Sequence, residues 1–599
     1  MLSFDSRKTE YKKPFGAVSE RELISIKFPI NKSISIIGAS LVLRKESIVR
    51  TIPLKFLGED KEDNIFVCAF SADNPGIYYY RFEIYTYEGT IFVGRGRDGK
   101  ALIGDWLPEW QLTVFKCDFK TPEWIKGGII YHIFPDRFCR KEDDKRPIRG
   151  VFKSWYQNLS IGDQSGYRAD DFYGGNIKGI ISKLAYLKSL GITSIYLSPI
   201  FESSSNHRYD TGDYFKIDPL FGDEDEFKEL IEQCKRNDIG IILDGVFNHT
   251  GSDSIYFNKL NHYTSIGAYQ SKQSPYYDWY TFYEWPDLYE CWWGVTVVPT
   301  IKRNSNQFQD MIAGKGGVIE KWTKTGIKGW RLDVVDELSS AFVEKIRKSC
   351  KDNGDEVSVI GEVWEDASTK ESYGEKRKYL LGNQLDGVMN YPFRNSIIEL
   401  LKEKHIESFI NSVYDICENY PKCVLNSCMT LLGSHDTIRI LTELGINNPP
   451  KTKFSRSIYR LNPEEYKRGK DLLKIASILQ YVLPGVPSVY YGDETGMQGF
   501  EDPMNRGTFP TTGGDIDIVS HYRNLGDLRK RYKGCFIDSD ISMRSEGKIL
   551  YIDRGNLKTI VNLSESSLFL PKYLKNEIDG RVLNELPKDT AMVYIEKPI

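Results

Sequence analysis

A (β/α)8 barrel of the TIM type, with an N-terminal β-sandwich and a small C-terminal β-domain, is the α/β fold this 599-residue sequence predicts. Three observations lead there. From Gly127 to about residue 533, eight apolar runs of strand length alternate with helical stretches, and eight β-α units close a parallel barrel. Before residue 120, short β-type runs are separated by turn signals and lack helical periodicity. After Cys535 the short-strand pattern returns.

In order, the sandwich strands are ISIKFPI, IIGASLVL, NIFVCAF, GIYYYRFEIYTY and GTIFVGR. The barrel strands are IIYHIF (129–134), ITSIYLS (192–198), IGIILD (239–244), IKGWRLD (327–333), VSVIGE (357–362), LDGVMNY (385–391), MTLLGSHD (429–436) and VPSVYY (486–491). Helices such as IISKLAYLKSL (180–190) and EDEFKELIEQCKR (224–236) fall between them. The gap from Asp244 to Ile327 is too long for one crossover and predicts an inserted subdomain at about 250–305. GKILYIDR, KTIVNL and AMVYIE supply the last sheet, giving domains 1–120, 121–534 and 535–599.

Composition narrows the function. Eighty Lys and Arg against 83 Asp and Glu leave a net charge of −3, too balanced for a nucleic-acid or anionic-membrane surface. No apolar run has the length of a signal peptide or membrane span, and the ten cysteines are scattered without zinc-ligand spacing. A cytoplasmic protein with reduced thiols is the expectation.

Several strands end in ionisable groups that an apolar strand has no structural reason to carry. DGVFNH brings Asp244, Asn248 and His249; WRLD brings Arg331 and Asp333; GE brings Glu362; SHD brings His435 and Asp436. One Asp after a strand usually caps the next helix, and one Arg beside an Asp is usually an ion pair. Four such strand ends meeting at one barrel mouth are not explained that way. A metal pair for hydrolysis is one chemistry for the set, but no HxH or HxxE grouping occurs. Two carboxyls flanking a glycosidic bond fit better. Arg331, two residues from Asp333 on the same strand face, would keep Asp333 ionised, and Glu362 in its apolar setting would hold a proton.

In this order, DGVFNH, GWRLDVVDE, GEVW and LLGSHDT resemble the four motifs of the α-amylase superfamily, glycoside hydrolase family 13. DFYGG (171–175) and GVPSVYYGDETGM (485–497) support the match. The resemblance implies Asp333 as nucleophile, Glu362 as general acid and base, and Asp436 as the stabiliser of the distorted sugar. Arg331 is implied to orient the nucleophile, Asp244 to support it, and His249 and His435 to hydrogen-bond the same sugar. From NHRYDTGDYF, Tyr209 is implied as its stacking platform, with His207 and Asp210 close by and Arg439 a weaker candidate.

The layout is most similar to the neopullulanase, cyclomaltodextrinase and amylopullulanase group, through YHIFPDRF and EDPMNR; in the latter, Asp502 and Arg506 match residues that hold the next sugars. VVDE after the nucleophile and VPTIK (298–302) depart from the group's cyclodextrin-linked markers. The resemblance implies cleavage of α-1,4 bonds, with α-1,6 bonds a further candidate, in maltooligosaccharides, pullulan or starch fragments. It implies retention, with the two carboxyls about 5–5.5 Å apart. No cofactor is required; Asn248 matches a calcium ligand of many α-amylases, so one structural calcium is a candidate. The group also implies a starch-binding-like sandwich and a homodimer formed through it. An α-glucanotransferase sharing the site and a non-catalytic glycan-binding barrel are the alternatives. Finally, residues 276–293 hold ten aromatics in eighteen positions; a small subdomain's core is one reading of them, and at least one ring, Trp292 or Trp293 for preference, is expected to line sites beyond the cleaved bond.

Overall fold

The computed structural model describes residues 2–141, 145–147, 150–159, 169–512 and 514–596. It forms two compact units: Met1–Thr121 with Glu365–Asp386 and Glu407–Leu425, and Pro122–Trp364 with Gly387–Ile406 and Asn426–Ile599.

The first unit contains a four-stranded sheet around the antiparallel pair Ile24–Asn31 and Asp63–Phe70, and a seven-stranded sheet around Gly76–Thr86. Alternation along Gly76–Thr86 sends Tyr78, Tyr80, Phe82 and Ile84 inward. Phe28 stacks on Phe82 at 4.0 Å, which joins the two sheets in one core. Strands Ile48–Pro53 and Lys55–Glu59 are exposed for most of their length; lacking a clean alternation, they are absent from the strands read in the sequence. Residues 407–425 group with this unit although they follow the sixth barrel strand in sequence. Asp415 pairs with both Arg7 and Arg95, and Arg7 Nη1 donates to Asn411 at 2.7 Å.

The second unit is built on eight parallel strands: β1 Ile130–Ile133, β2 Ser194–Leu197, β3 Gly240–Gly245, β4 Gly329–Leu332, β5 Ser358–Gly361, β6 Gly387–Val388, β7 Met429–Leu431 and β8 Val486–Tyr490. They pair in the order β6-β5-β4-β3-β2-β1-β8-β7, and a parallel bridge between Met389 and Met429 completes the ring. Tyr196, Ile242, Ile360, Met429 and Val486 are among the buried side chains of its core. Surrounding helices start at side-chain caps, among them Asn176, the Asp223–Glu226 capping box and the Asn462–Glu465 box.

β6 is much shorter than the run 385–391 suggested. Asn390 ends it by capping helix Tyr391–Glu403, accepting from the Phe393 N–H. Gly387 sits where a Cβ would lie 2.6 Å from the Ser427 carbonyl, so β6 approaches the segment before β7 more closely than any side chain allows.

Between β3 and β4, an aromatic hairpin (Phe282–Glu284 with Leu288–Tyr289) precedes helices Asn306–Ala313 and Val318–Lys324. Cys535 falls in a short helix, Lys533–Asp538, and the C-terminal sheet starts at Ile541. Its four strands run Ile541–Glu546, Ile549–Arg554, Leu557–Asn562 and Thr590–Ile595, beside a separate hairpin. Among the described residues, no helix is long and apolar enough to cross a membrane.

Replacing Gly387 by Ala should cost about 1–3 kcal/mol through overpacking against the Ser427 backbone. Thermal unfolding would show a lowered midpoint; an unchanged one would mean that the close approach is not needed.

Candidate active site

Parallel register sets the floor of the site, because Asp244 on β3 stands directly beside Arg331 on β4. The Arg331 side chain is fully buried. Its Nη1 donates to Asp244 Oδ1 at 2.8 Å and to Asp333 Oδ1 at 2.7 Å. Its Nη2 lies 2.9 Å from Glu362 Oε2, an ion-pair contact without hydrogen-bond alignment. One guanidinium thus gathers carboxyls from the ends of three strands. Asp244 is saturated further by the Tyr196 hydroxyl at 2.5 Å and the Tyr209 hydroxyl at 2.8 Å, which leaves it a supporting rather than a reacting position.

The backbone turns sharply after Asp333. Val334 has φ 37° and ψ 51°, a left-handed conformation that is strained for a β-branched residue. The turn points the Val334 N–H at Glu362 Oε2, 2.9 Å away. The other oxygen, Oε1, accepts from Trp364 Nε1 at 3.1 Å, and the Trp364 ring stacks on buried Tyr391 at 3.8 Å and 12°.

On the opposite wall, His435 Nε2 is 3.1 Å from Asp436 Oδ2. Arg506 reaches Asp502 at 3.0 Å and Asp436 at 3.6 Å, and its Nε donates to the His435 carbonyl. The Tyr209 ring stacks on His435 at 5.0 Å, and His249 Nε2 lies 3.1 Å from the Tyr209 carbonyl oxygen. Trp292 packs beside His249 at 5.6 Å, whereas Trp293 is 83% exposed. His207 accepts the Tyr209 N–H through Nδ1 and lies 4.0 Å from Asp210.

The structure therefore gathers Asp244, Arg331, Asp333, Glu362, His435, Asp436, Asp502, Arg506, Tyr209, His249 and Trp292, with His207 and Asp210 just behind Tyr209. Arg439 stands apart: it is fully buried, paired with Asp493 at 2.9 Å and packed over Tyr490, so it supports the end of β8. Three participants were not singled out from sequence. His132 stacks on Tyr196 at 4.3 Å but looks like one more position in the run YHIF. Trp364 and Tyr391 lie 27 positions apart, and nothing local announces their stacking. Part of the aromatic segment is core: Trp279, Tyr280 and Tyr289 are buried against Tyr256 and Phe257, while Tyr283 and Trp293 are exposed and the other five rings half-buried.

Burial decides the charges. It holds His249 at about 4 and His207 at about 3, and holds His132 and His435 well below the ordinary range with neighbouring arginines adding to the effect. At neutral pH these imidazoles are neutral hydrogen-bonding groups. Burial also pushes the Asp333 carboxyl upward against the pull of Arg331, with Glu362 and Asp244 adding to the push. Asp436 keeps about a third of its side chain open to the cleft (32%), yet its surroundings and the nearby Glu362 push it to about 7. Arg331 binds Asp244 and Asp333 directly but does not pair with Asp436.

Asn248, the position matching a calcium ligand, lines a small hollow. Its side-chain nitrogen turns to His249 Nδ1 at 3.4 Å, and its backbone carbonyl accepts from the Ile301 N–H at 2.9 Å. Across the same hollow, Arg303 donates to the Glu337 carbonyl at 3.0 Å and the Leu338 carbonyl at 3.2 Å. A guanidinium already supplies positive charge to these carbonyls, so the residues present do not fit a calcium ion there. Among the described residues, no three His, Cys, Asp or Glu side chains gather to hold a metal.

The raised Asp436 carboxyl sets a stability trend. The folded chain holds that proton more tightly than the unfolded chain between the ordinary 3.8 and about 7, so stability falls as pH rises through this window. Asp436→Asn removes the loss. Its melting temperature relative to the parent should be higher at pH 8 than at pH 5, and an equal difference at both would contradict the assignment.

Comparison with known proteins agrees with this geometry. Residues 132–530 match the family model "Alpha amylase, catalytic domain". An amylopullulanase of Thermoanaerobacter thermohydrosulfuricus is 35% identical over 88% of this chain and 39% of its own length. Neopullulanase 2 of Thermoactinomyces vulgaris is 35% identical over 80% of this chain and 72% of its own. Among solved structures, the type III pullulan hydrolase of Thermococcus kodakarensis superposes with a TM-score of 0.69 at 25% identity, covering both chains fully. The chain spans less than half the length of the amylopullulanases it matches. With that barrel and the carboxyls gathered at its mouth, the chain belongs to the α-amylase family of glycoside hydrolases.

Proposed function

We propose that this chain hydrolyses α-1,4-glucosidic bonds, and α-1,6 bonds as a second linkage, in maltooligosaccharides, pullulan or starch fragments, with retention of configuration. The observation that carries the reading is the single Arg331 guanidinium in contact with both Asp333 and Glu362.

In the first step, the Asp333 oxygen that Arg331 does not hold attacks the anomeric carbon. The C1–O bond to the leaving sugar breaks, and that oxygen takes a proton from Glu362. In the second, water attacks C1, Glu362 takes its proton, and the bond to Asp333 breaks, so two inversions leave an α product. Asp436, His435, His249 and Arg506 hydrogen-bond the ring at the bond being cut, over the Tyr209 face. Neutral imidazoles suit an uncharged polyol. Asp502 and Arg506 meet the sugars on one side, and Trp292 offers a stacking face on the other. No cofactor enters either step. The same reading divides the chain near residues 120 and 535, places it in the cytoplasm and has the N-terminal sandwich bind starch and pair two copies.

Incubation with pullulan and maltotetraose tests the proposal. Panose from pullulan is the expected product of α-1,4 cleavage, and maltotriose that of α-1,6 cleavage. Asp333→Asn should lower turnover by about 10^4 or more. Release of no sugar by the parent, or near-parental turnover by the variant, would overturn it.

A further inference from the structure

Glu362 is held by two N–H donors on different oxygens, and the two differ in kind. The Val334 N–H on Oε2 belongs to the backbone turn after Asp333, and Arg331 Nη2 faces the same oxygen, so Oε2 is fixed and positively surrounded. The indole Nε1–H on Oε1 belongs to a side chain that is 42% exposed and supported on one face by Tyr391. Oε1 is thus the oxygen left to deliver a proton, and Trp364 occupies it.

We propose that Trp364 is a positioning residue for the proton of this site: its indole N–H, aimed by stacking on Tyr391, favours negative charge on Glu362 Oε1 and must release that oxygen before a leaving group takes a proton from it. Charged acceptors form the stronger hydrogen bonds, so the contact is favourable when Glu362 is a carboxylate and weakens when it is an acid. The groups facing Glu362 are Arg331 and Asp333 from the end of β4, Tyr391 from its helix and Asp436 after β7. Of these, Asp436 is the carboxyl that makes no ion pair with Arg331, which instead contacts Asp333 and Glu362. Tyr391 sits 3.4 Å from the Ser434 hydroxyl, two residues before Asp436, so the stack that fixes the indole also touches the loop carrying the second carboxyl. In the second step the carboxylate form is needed again as the base, and the same contact favours it.

The inference rests on Glu362 being the acid and base. It is tested by pH profiles of kcat/KM for Trp364→Phe, which keeps an aromatic face for Tyr391 and loses the N–H. With maltotriose, whose leaving oxygen needs a proton, the basic limb should move up by about one pH unit, the worth of one hydrogen bond to a charged group. With α-maltosyl fluoride, whose leaving group needs little protonation, the profile should not move. Trp364→His, which returns an N–H, should bring the maltotriose limb back toward the parent. An altered KM with both limbs in place would make Trp364 a stacking surface only and overturn the proposal, as would an equal shift with both substrates. A fall in melting temperature shared by both variants, without the difference between Phe and His, would overturn it too. Failure of the underlying assignment looks different: the parent itself would release no sugar.

Discussion

A buried guanidinium organises this active site. Arg331 lies on the barrel floor with no exposed surface, where an isolated charge would be prohibitive. It is tolerated because Asp244, Asp333 and Glu362 surround it, and they are tolerated because of it. Removing one partner of such a buried set typically costs about 3–5 kcal/mol, since the others are left uncompensated. The barrel makes the arrangement cheap to build. Parallel register fixes Asp244 beside Arg331, and consecutive strand ends deliver the remaining carboxyls. Three carboxyls around one cation leave an excess of negative charge, so with Asp436 nearby the site retains a proton into the neutral range, as its chemistry requires.

The rest of the cleft suits a neutral, hydroxyl-rich ligand. Four histidines that could have been cations are kept neutral by burial, and three of them, His132, His207 and His435, are further lowered by Arg331 or Arg506. They act as oriented donors and acceptors. Rings provide flat faces among them: Tyr209 against His435, and Trp292 against His249. The near balance of charge over the chain is consistent with a partner that carries none.

Much of this was legible in the sequence because strand-end chemistry is local. DGVFNH, GWRLD, GE and SHD each put a polar group where an apolar strand stops, and the barrel places those ends together. What escaped has physical reasons. Valine carries no sequence signal for a left-handed backbone, so the Val334 turn and its N–H to Glu362 could not be foreseen. The Trp364–Tyr391 stack joins residues on different elements. β6 was overestimated because Asn390, which caps the next helix, lies inside an apolar run. The resemblance of Asn248 to a calcium ligand gave no hint that Arg303 would reach the neighbouring carbonyls. Ten aromatics in one segment suggested a sugar surface, yet Trp279, Tyr280 and Tyr289 are spent on packing against Tyr256 and Phe257.

The central claim is that Asp333, held by Arg331, attacks the anomeric carbon and is displaced by water. Proton NMR of the first-formed sugar, recorded before mutarotation, tests it most directly. The account predicts the α-anomer. A β-anomer would mean one inversion, with water attacking directly, and would contradict the role given to Asp333.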